Sequence, residues 1–120
     1  MDLSINTLSW FGRPKKQVSA KAIKFNRYSL IFHSRVRLKP GQLVLVNLSA
    51  GTHCLREITA RVEHCERTGP HYQTQVKFVL ERPDKQPYRE AISVLKAIEN
   101  AVPSSIRAPL HMQEVNQVLS

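Results

Sequence analysis

Glycine and cysteine are scarce in this chain, and their scarcity excludes several classes of protein. Only four of the 120 residues are glycine, and the sequence has no glycine-rich phosphate loop, dinucleotide fingerprint or nucleophile elbow. Two cysteines, Cys54 and Cys65, are too few for a disulfide scaffold. We therefore expect free thiols and a reducing, cytoplasmic location.

Acidic residues are also few, and long apolar runs are absent. The nine Asp and Glu residues give no paired-carboxylate pattern of the kind used in acid–base catalysis. His53-Cys54 and His64-Cys65 match no common zinc spacing, and neighbours on a strand point to opposite faces. No apolar run approaches the roughly 18 residues of a membrane span, and the N-terminus does not resemble a secretory signal. We predict a protein without a membrane span that is not an enzyme and holds no metal or cofactor.

Positive charge is concentrated in the first third of the chain. The sequence has 18 Lys and Arg against nine Asp and Glu, and its net charge is +9. The first 40 residues contain nine of these basic residues and a single acid, Asp2. Such asymmetry indicates an anionic partner, which could be a nucleotide, a nucleic acid or an acidic protein. The simpler alternative is a solvated basic face.

Alternating apolar residues predict β-structure from Val18 to Leu80. On one such segment, Ile58, Ala60 and Val62 share one face. Turn signals separate the segments at residues 26–27, 40–41 and 69–70. Strands that recur about every 10–14 residues with no helix between them indicate a mostly β protein. We predict a small antiparallel six- or seven-stranded β-barrel with a C-terminal α-helix.

The apolar period becomes helical after residue 82. Tyr88, Ile92 and Leu95 fall at helical spacing, Asp84 is a candidate N-cap, and Pro103 ends the pattern. The predicted organisation is an N-terminal segment with a basic arm at 1–17, a barrel core at 18–82, a C-terminal helix at 83–102 and a tail at 103–120. Within the first segment, residues 13–17 are expected to form an exposed arm or turn, and the tail could contain a short second helix.

The order of these signals resembles that of the PilZ domain. Three segments carry the resemblance, namely "AKAIKFNRYSLIFHS", "LKPGQLVLVNL" and "ITARVEHCERTGPHYQTQVKFV", and the helix after Leu80 extends it. The region that they span, from Ala20 to Leu80, is about half of the chain. PilZ domains are small bacterial β-barrels with a C-terminal helix, and typical members are receptors for cyclic di-GMP. The resemblance therefore implies a bacterial signalling module with this fold.

The first ligand motif of the PilZ family is an Arg-x-x-x-Arg arm ahead of the barrel. Here Arg13 is followed four residues later by Gln17, and Lys15 and Lys16 lie between them. The guanidinium forks of this motif bind guanine edges and phosphates. The chain thus keeps the positive charge of the arm and only one of its two forks.

The second ligand motif of the family, Asp/Asn-x-Ser-x-x-Gly, falls on residues 24–29. None of its three signature residues is kept, because Asn26 stands at the serine position and Ser29 at the glycine position. The resemblance implies that a cyclic di-GMP site would use Arg13, Lys15, Lys16 and Arg27 for phosphates and guanine edges, with polar contacts from Asn26 and Ser29. On that interpretation, replacing Arg13 and Arg27 with Ala should abolish binding without lowering thermal stability.

Two functions within this family remain open from the sequence. The chain is either a cyclic di-GMP receptor with a non-standard site or a degenerate PilZ adaptor that acts through protein–protein contacts. Arg35, Arg37 and Lys39 lie at the far end of the following strand from residues 26–27, so we expect them to face an acidic protein partner or solvent.

A small-barrel nucleic-acid-binding protein that uses the basic N-terminal third is the alternative from another class. Barrels of this kind bind strands in basic grooves with aromatic stacking. Aromatic residues do stand among the basic ones here: Trp10, Phe11, Phe25, Tyr28 and Phe32. The same side chains would also suit an apolar core. A steep fall of affinity with salt would favour nucleic acid.

Overall fold

The computed structural model describes residues 1–8, 14–79 and 86–108, with the backbone alone at 14–16 and 86–89. These residues form seven strands and one helix. The elements are β1 (Asp2–Leu8), β2 (Pro14–Ser19), β3 (Lys21–Phe25), β4 (Ser29–Ser34), β5 (Leu43–Ala50), β6 (His53–Thr68), β7 (His71–Phe78) and α1 (Gln86–Ala101). No helix in this part of the chain is both long and apolar enough to cross a membrane.

The seven strands form one antiparallel sheet that curls into a half-barrel. Its strand order is β2-β1-β5-β6-β7-β4-β3. The two outermost strands, β2 and β3, are consecutive in the chain and are joined through Ala20 alone. The chain itself therefore bridges the two edges of the sheet, and β3 also contacts β1. The predicted mostly β fold of six or seven antiparallel strands with a C-terminal helix is confirmed, with seven strands in a curled half-barrel.

The core forms from alternate residues of the central strands, as the sequence pattern predicts. Val44 and Val46 of β5 pair in register with Ala60 and Ile58 of β6, and all four side chains are buried. Burial of this kind contributes roughly 1.5–3 kcal/mol for each large aliphatic side chain. The other face of β5 is more open than its apolar sequence indicates, since Leu43 is 40% exposed.

The barrel includes two strands that begin before the predicted core of residues 18–82. Residues 13–17 were expected to form an arm or turn, but β2 already starts at Pro14. Proline fits here because it lies at the first residue of an edge strand, where its missing N–H breaks no ladder. Ile5 pairs with Val18, and both side chains are buried, so β1 and β2 belong to the barrel.

The helix closes the core with part of the predicted set of side chains, since Leu95 is buried as predicted, and with others further along the same helical spacing. Leu95, Ile98 and Val102 are buried in the barrel core, while Ile92 is only partly buried. Pro87 lies in the first turn of α1, where its missing N–H is tolerated. The side chain of Tyr88 and the candidate N-cap Asp84 lie outside the described residues.

The segment after the helix is docked onto the domain. The Nη2 atom of Arg107 donates to the main-chain oxygens of Asn100 and Val102, both at 3.2 Å, which satisfies carbonyls at the end of α1. Phe25 N donates to Ile106 O at 2.8 Å, and Phe25 O accepts from Ala108 N at 2.8 Å. The tail thus adds a short parallel bridge to β3. The short helix considered for the tail would lie after residue 108, outside the described residues.

Candidate functional site

The turn between β3 and β4 is the place where the PilZ resemblance puts its second ligand motif. Asn26 N donates to Ser29 O at 3.0 Å. The Oδ1 atom of Asn26 accepts from Tyr28 N at 2.8 Å, from Ser29 N at 2.9 Å and from Ser29 Oγ at 3.3 Å. Asparagine often makes such a local turn because its short side chain replaces a backbone acceptor. Asn26 and Ser29 are both completely buried.

Arg27, in the same turn, is bound to the helix. Its main-chain N–H donates to Oε2 of Glu99 at 2.7 Å, and its Nη2 donates to Oε1 at 3.1 Å. The Nε atom is 3.4 Å from Oε2 and adds a weaker contact. The side chain of Glu99 is 8% exposed and that of Arg27 is 24% exposed. The hydrogen bond that Arg27 donates to Glu99 raises the pKa of the Arg27 guanidinium, so Arg27 is charged throughout the physiological range.

Glu99 was missed by the sequence interpretation, although the sequence contains a signal for it. Glu99 follows Ile98 and lies four residues after Leu95, so it falls on the buried side of α1. A carboxylate at such a position requires a partner, because an unpaired buried charge is costly. The partner could not be identified from sequence, since Arg27 is 72 positions away.

The structure places five of the six predicted ligand residues, in two parts of the domain. Asn26, Arg27 and Ser29 come together in the β3–β4 turn. Lys15 and Lys16 belong to β2, whose ladder partner is β1, and only their backbone is described. Arg13 lies outside the described residues. The Arg27–Glu99 pair leads to a different prediction for one substitution: replacing Arg27 should lower stability as well as alter the turn.

The other basic residues near the turn serve different purposes. Lys24 Nζ donates to the main-chain oxygen of Ser105 at 2.9 Å, which ties β3 to the tail. Arg35, Arg37 and Lys39 are exposed on the loop between β4 and β5, which we call the basic loop (residues 35–42). In the described part of the chain, none of these three side chains forms an ion pair.

The basic loop is well ordered around its exposed charges. Leu38 is buried between them and anchors the loop to the core. Gly41 N donates to Val62 O at 2.7 Å, and Val62 N donates to Gln42 O at 2.8 Å. Gly41 has a φ of 87°, a conformation that favours glycine. The loop therefore presents its three cations from a fixed backbone.

The aromatic residues do not form a stacking surface within the described residues. Phe25 and Phe32 are completely buried, and Phe25 packs edge-on against Phe78 with ring centroids 6.1 Å apart. Tyr28 is 43% exposed. Trp10 and Phe11 lie outside the described residues. Most of the described aromatic area thus belongs to the core, which leaves little of it for stacking on bases.

Both cysteines are free thiols, as expected, and both lie on β6. Cys54 is exposed, while Cys65 is partly buried and accepts a hydrogen bond from Thr74 Oγ1 at 3.4 Å. Among the residues that the structure describes, no group of three or more His, Cys, Asp or Glu side chains is placed to hold a metal ion.

Comparison of the chain with protein-family models, with curated proteins and with solved structures found no match. The fold therefore defines the class only as a small curled β-barrel with a C-terminal helix, and the PilZ resemblance stays an expectation from the sequence.

Proposed function

We propose that this protein is a PilZ-like signalling module of the bacterial cytoplasm that acts as an adaptor through protein–protein contacts and not as an enzyme. The observation that carries the proposal is the state of the β3–β4 turn. Asn26 and Ser29 are buried and bonded to each other, and Arg27 is bound to Glu99 of α1. The polar groups that this turn would offer to a PilZ-type ligand are thus already used within the domain.

The cost of freeing this turn supports an adaptor over a receptor. A phosphate at Arg27 would have to replace a charge-assisted contact of 3.1 Å, and it would leave the Glu99 carboxylate buried without its cation. Such losses are typically about 1–3 kcal/mol, which corresponds to roughly a tenfold to hundredfold loss of affinity. A ligand would also meet the Ser29 side chain where the family has a glycine. A strong cyclic di-GMP site at this turn is therefore disfavoured.

The charge of the exposed surface indicates the kind of protein that an adaptor of this type would bind. The anchored basic loop exposes Arg35, Arg37 and Lys39. The described residues form no exposed apolar patch beside them, since the large exposed hydrophobic side chains are Tyr28 and Leu43. Complementary charge speeds association and selects partners. The partner proposed for this loop is an acidic protein surface.

Calorimetric titration with cyclic di-GMP tests the proposal. The titration uses salt at about 150 mM, so that weak long-range attraction is screened. A short single-stranded oligonucleotide serves as the control ligand. The adaptor proposal expects no saturable heat from either ligand. Saturable binding of cyclic di-GMP alone would make the protein a receptor with an altered motif, and binding of the oligonucleotide with steep salt dependence would favour the nucleic-acid alternative.

A further inference from the structure

A basic cleft lies at the opposite end of β4 from the β3–β4 turn. Its volume is about 610 Å³, and it is formed where the end of β2, Ala20 and the start of β3 meet the end of β4, the first residues of the basic loop and the start of β7. The residues that matter most for its chemistry are Ser19, Lys21, His33, Arg35, Val36 and His71. We refer to this feature as the basic cleft.

The register of the sheet aligns the polar side chains on one wall of the basic cleft. Lys21 of β3 is paired with His33 of β4, and His33 is paired with Gln73 of β7. Paired residues on neighbouring strands project to the same face of a sheet. His33 Nε2 lies 3.0 Å from Oε1 of Gln73, and the imidazole of His71 is nearly parallel to that of His33, with planes within 10° and centroids 6.4 Å apart. Gln73 thus holds the imidazole of His33, and the imidazole of His71 lies beside it.

The other wall of the basic cleft is fixed by Ser34, which is 3% exposed. Its Oγ atom donates to the main-chain oxygen of Val36 at 3.1 Å and accepts from the main-chain nitrogen of Val36 at 3.3 Å. This local turn holds the backbone of Arg35 at the rim. Because both walls are ordered, the cleft is preformed, which reduces the entropy lost when a ligand binds.

The composition of the basic cleft indicates an anionic ligand. Lys21 and Arg35 carry positive charge, the imidazoles and Ser19 offer hydrogen-bonding groups, and no Asp or Glu lines the cleft among the described residues. Val36 and Ala20 add apolar surface. Small-molecule sites typically have volumes of about 300–1,000 Å³ and combine apolar walls with a few polar groups. Arginine and lysine are the residues that bind phosphate oxygens most often.

From these observations we infer that the basic cleft is a binding site for a small phosphomonoester of about mononucleotide size. Arg35 and Lys21 contact the phosphate, and the imidazoles of His33 and His71 lie beside the remainder of the ligand. The inference does not depend on the state of the β3–β4 turn, which lies at the opposite end of β4 and shares no residue with the cleft. Arg35 and Val36 belong both to the cleft and to the basic loop, so a bound phosphate and an acidic protein would compete for Arg35.

Adenosine 5′-monophosphate is the probe for this site, and adenosine is the control without a phosphate. Binding to the full chain is measured by calorimetry, and NMR shifts locate the bound probe. The test variant carries Lys21→Ala with Arg35→Ala. The matched control carries Arg37→Ala with Lys39→Ala, which removes the same charge from exposed positions that do not line the cleft. Thermal unfolding of both variants confirms that each is folded.

The inference expects saturable binding of adenosine 5′-monophosphate, with much weaker binding of adenosine. The test variant should lose at least about tenfold in affinity, and the matched control should lose less than about threefold, because only the former removes direct charge-assisted contacts. Equal losses in the two variants would overturn the inference and indicate nonspecific attraction. Absence of saturation up to about 10 mM would also overturn it, as would adenosine binding as tightly as the monophosphate.

Discussion

The contact between Arg27 and Glu99 permits a quantitative test of how helix α1 holds the β3–β4 turn. Replacing Glu99 with Ala removes all three contacts and leaves the main-chain N–H of Arg27 without its 2.7 Å acceptor. Replacing Arg27 with Ala removes only the two side-chain contacts, since the main-chain bond can remain. The two variants therefore remove different parts of one interaction.

The expected magnitudes follow from the burial of the two side chains. Glu99→Ala should lower the free energy of unfolding by about 2–3 kcal/mol, because a nearly buried network is lost. Arg27→Ala should cost about 1–2 kcal/mol. A quarter of the Arg27 side chain is exposed, so solvent screens the charge pair, and the coupling energy between the two side chains should be only about 1 kcal/mol.

Urea unfolding of the wild type, both single variants and the double variant measures this coupling. Glu63→Ala, which removes an exposed carboxylate from β6, is the matched control and should change stability by less than about 0.5 kcal/mol. For a domain of this size, each kcal/mol corresponds to roughly 3–5 °C in melting temperature. Additive effects of the two single variants, with no measurable coupling, would refute the argument that this pair holds the turn.

The coupling energy between Arg27 and Glu99 should also not change near neutral pH through titration of Arg27. The pKa of Arg27 is raised by its hydrogen bond to Glu99. A raised pKa of a basic group gives stability that is fully present below its unfolded value and is lost only as the pH rises through the folded value. Both values lie far above neutrality, so a coupling energy that fell between about pH 7 and pH 9 would contradict this assignment.

Three further substitutions test other parts of the fold. Asn26→Ala should lower the free energy of unfolding, measured in urea, by about 2 kcal/mol, because the main-chain N–H groups of Tyr28 and Ser29 lose their acceptor. A loss below about 0.5 kcal/mol would show that the turn does not need the Asn26 side chain. Arg107→Ala should lower the free energy of unfolding by about 0.5–1 kcal/mol and speed amide hydrogen exchange in the last turn of α1. Unchanged exchange there would show that Arg107 does not cap the helix. Gly41→Ala should lower the free energy of unfolding by about 1 kcal/mol. Backbone strain alone would cause this loss, since an added Cβ meets no atom within 4 Å. An unchanged stability would mean that the loop readjusts.

The central strands could be predicted from sequence because apolar and polar residues alternate along them. Ile58, Ala60 and Val62 alternate with polar residues on β6, and the structure buries all three. β2 could not be found in this way. Its residues 14–17 are Pro, Lys, Lys and Gln, which show no apolar alternation. Among the β2 side chains that the structure describes, at 17–19, Val18 is the buried one, and the place of β2 in the sheet depends on pairing with β1.

The sequence predicts where the candidate site lies, but not whether its side chains are free to bind a ligand. A polar turn after a strand indicates where residues 26–29 lie, and the structure places a turn there. Whether these residues face a ligand or the protein depends on long-range contacts. The pairing of Arg27 with Glu99 joins residues from opposite ends of the chain, and no local pattern specifies it. The basic cleft was missed for the same reason, because β2, β3, β4 and β7 all contribute to it.

The bridge between the tail and β3 has a consequence for association between molecules. An open strand edge offers unpaired N–H and C=O groups to any neighbouring chain, and this is a common origin of aggregation. Ile106 and Ala108 occupy the main-chain groups of Phe25 on this edge, and Lys24 is held over it by Ser105. A version of the protein shortened before Ile106 would expose this edge and become prone to self-association. Any shortened version should therefore keep residues 106–108.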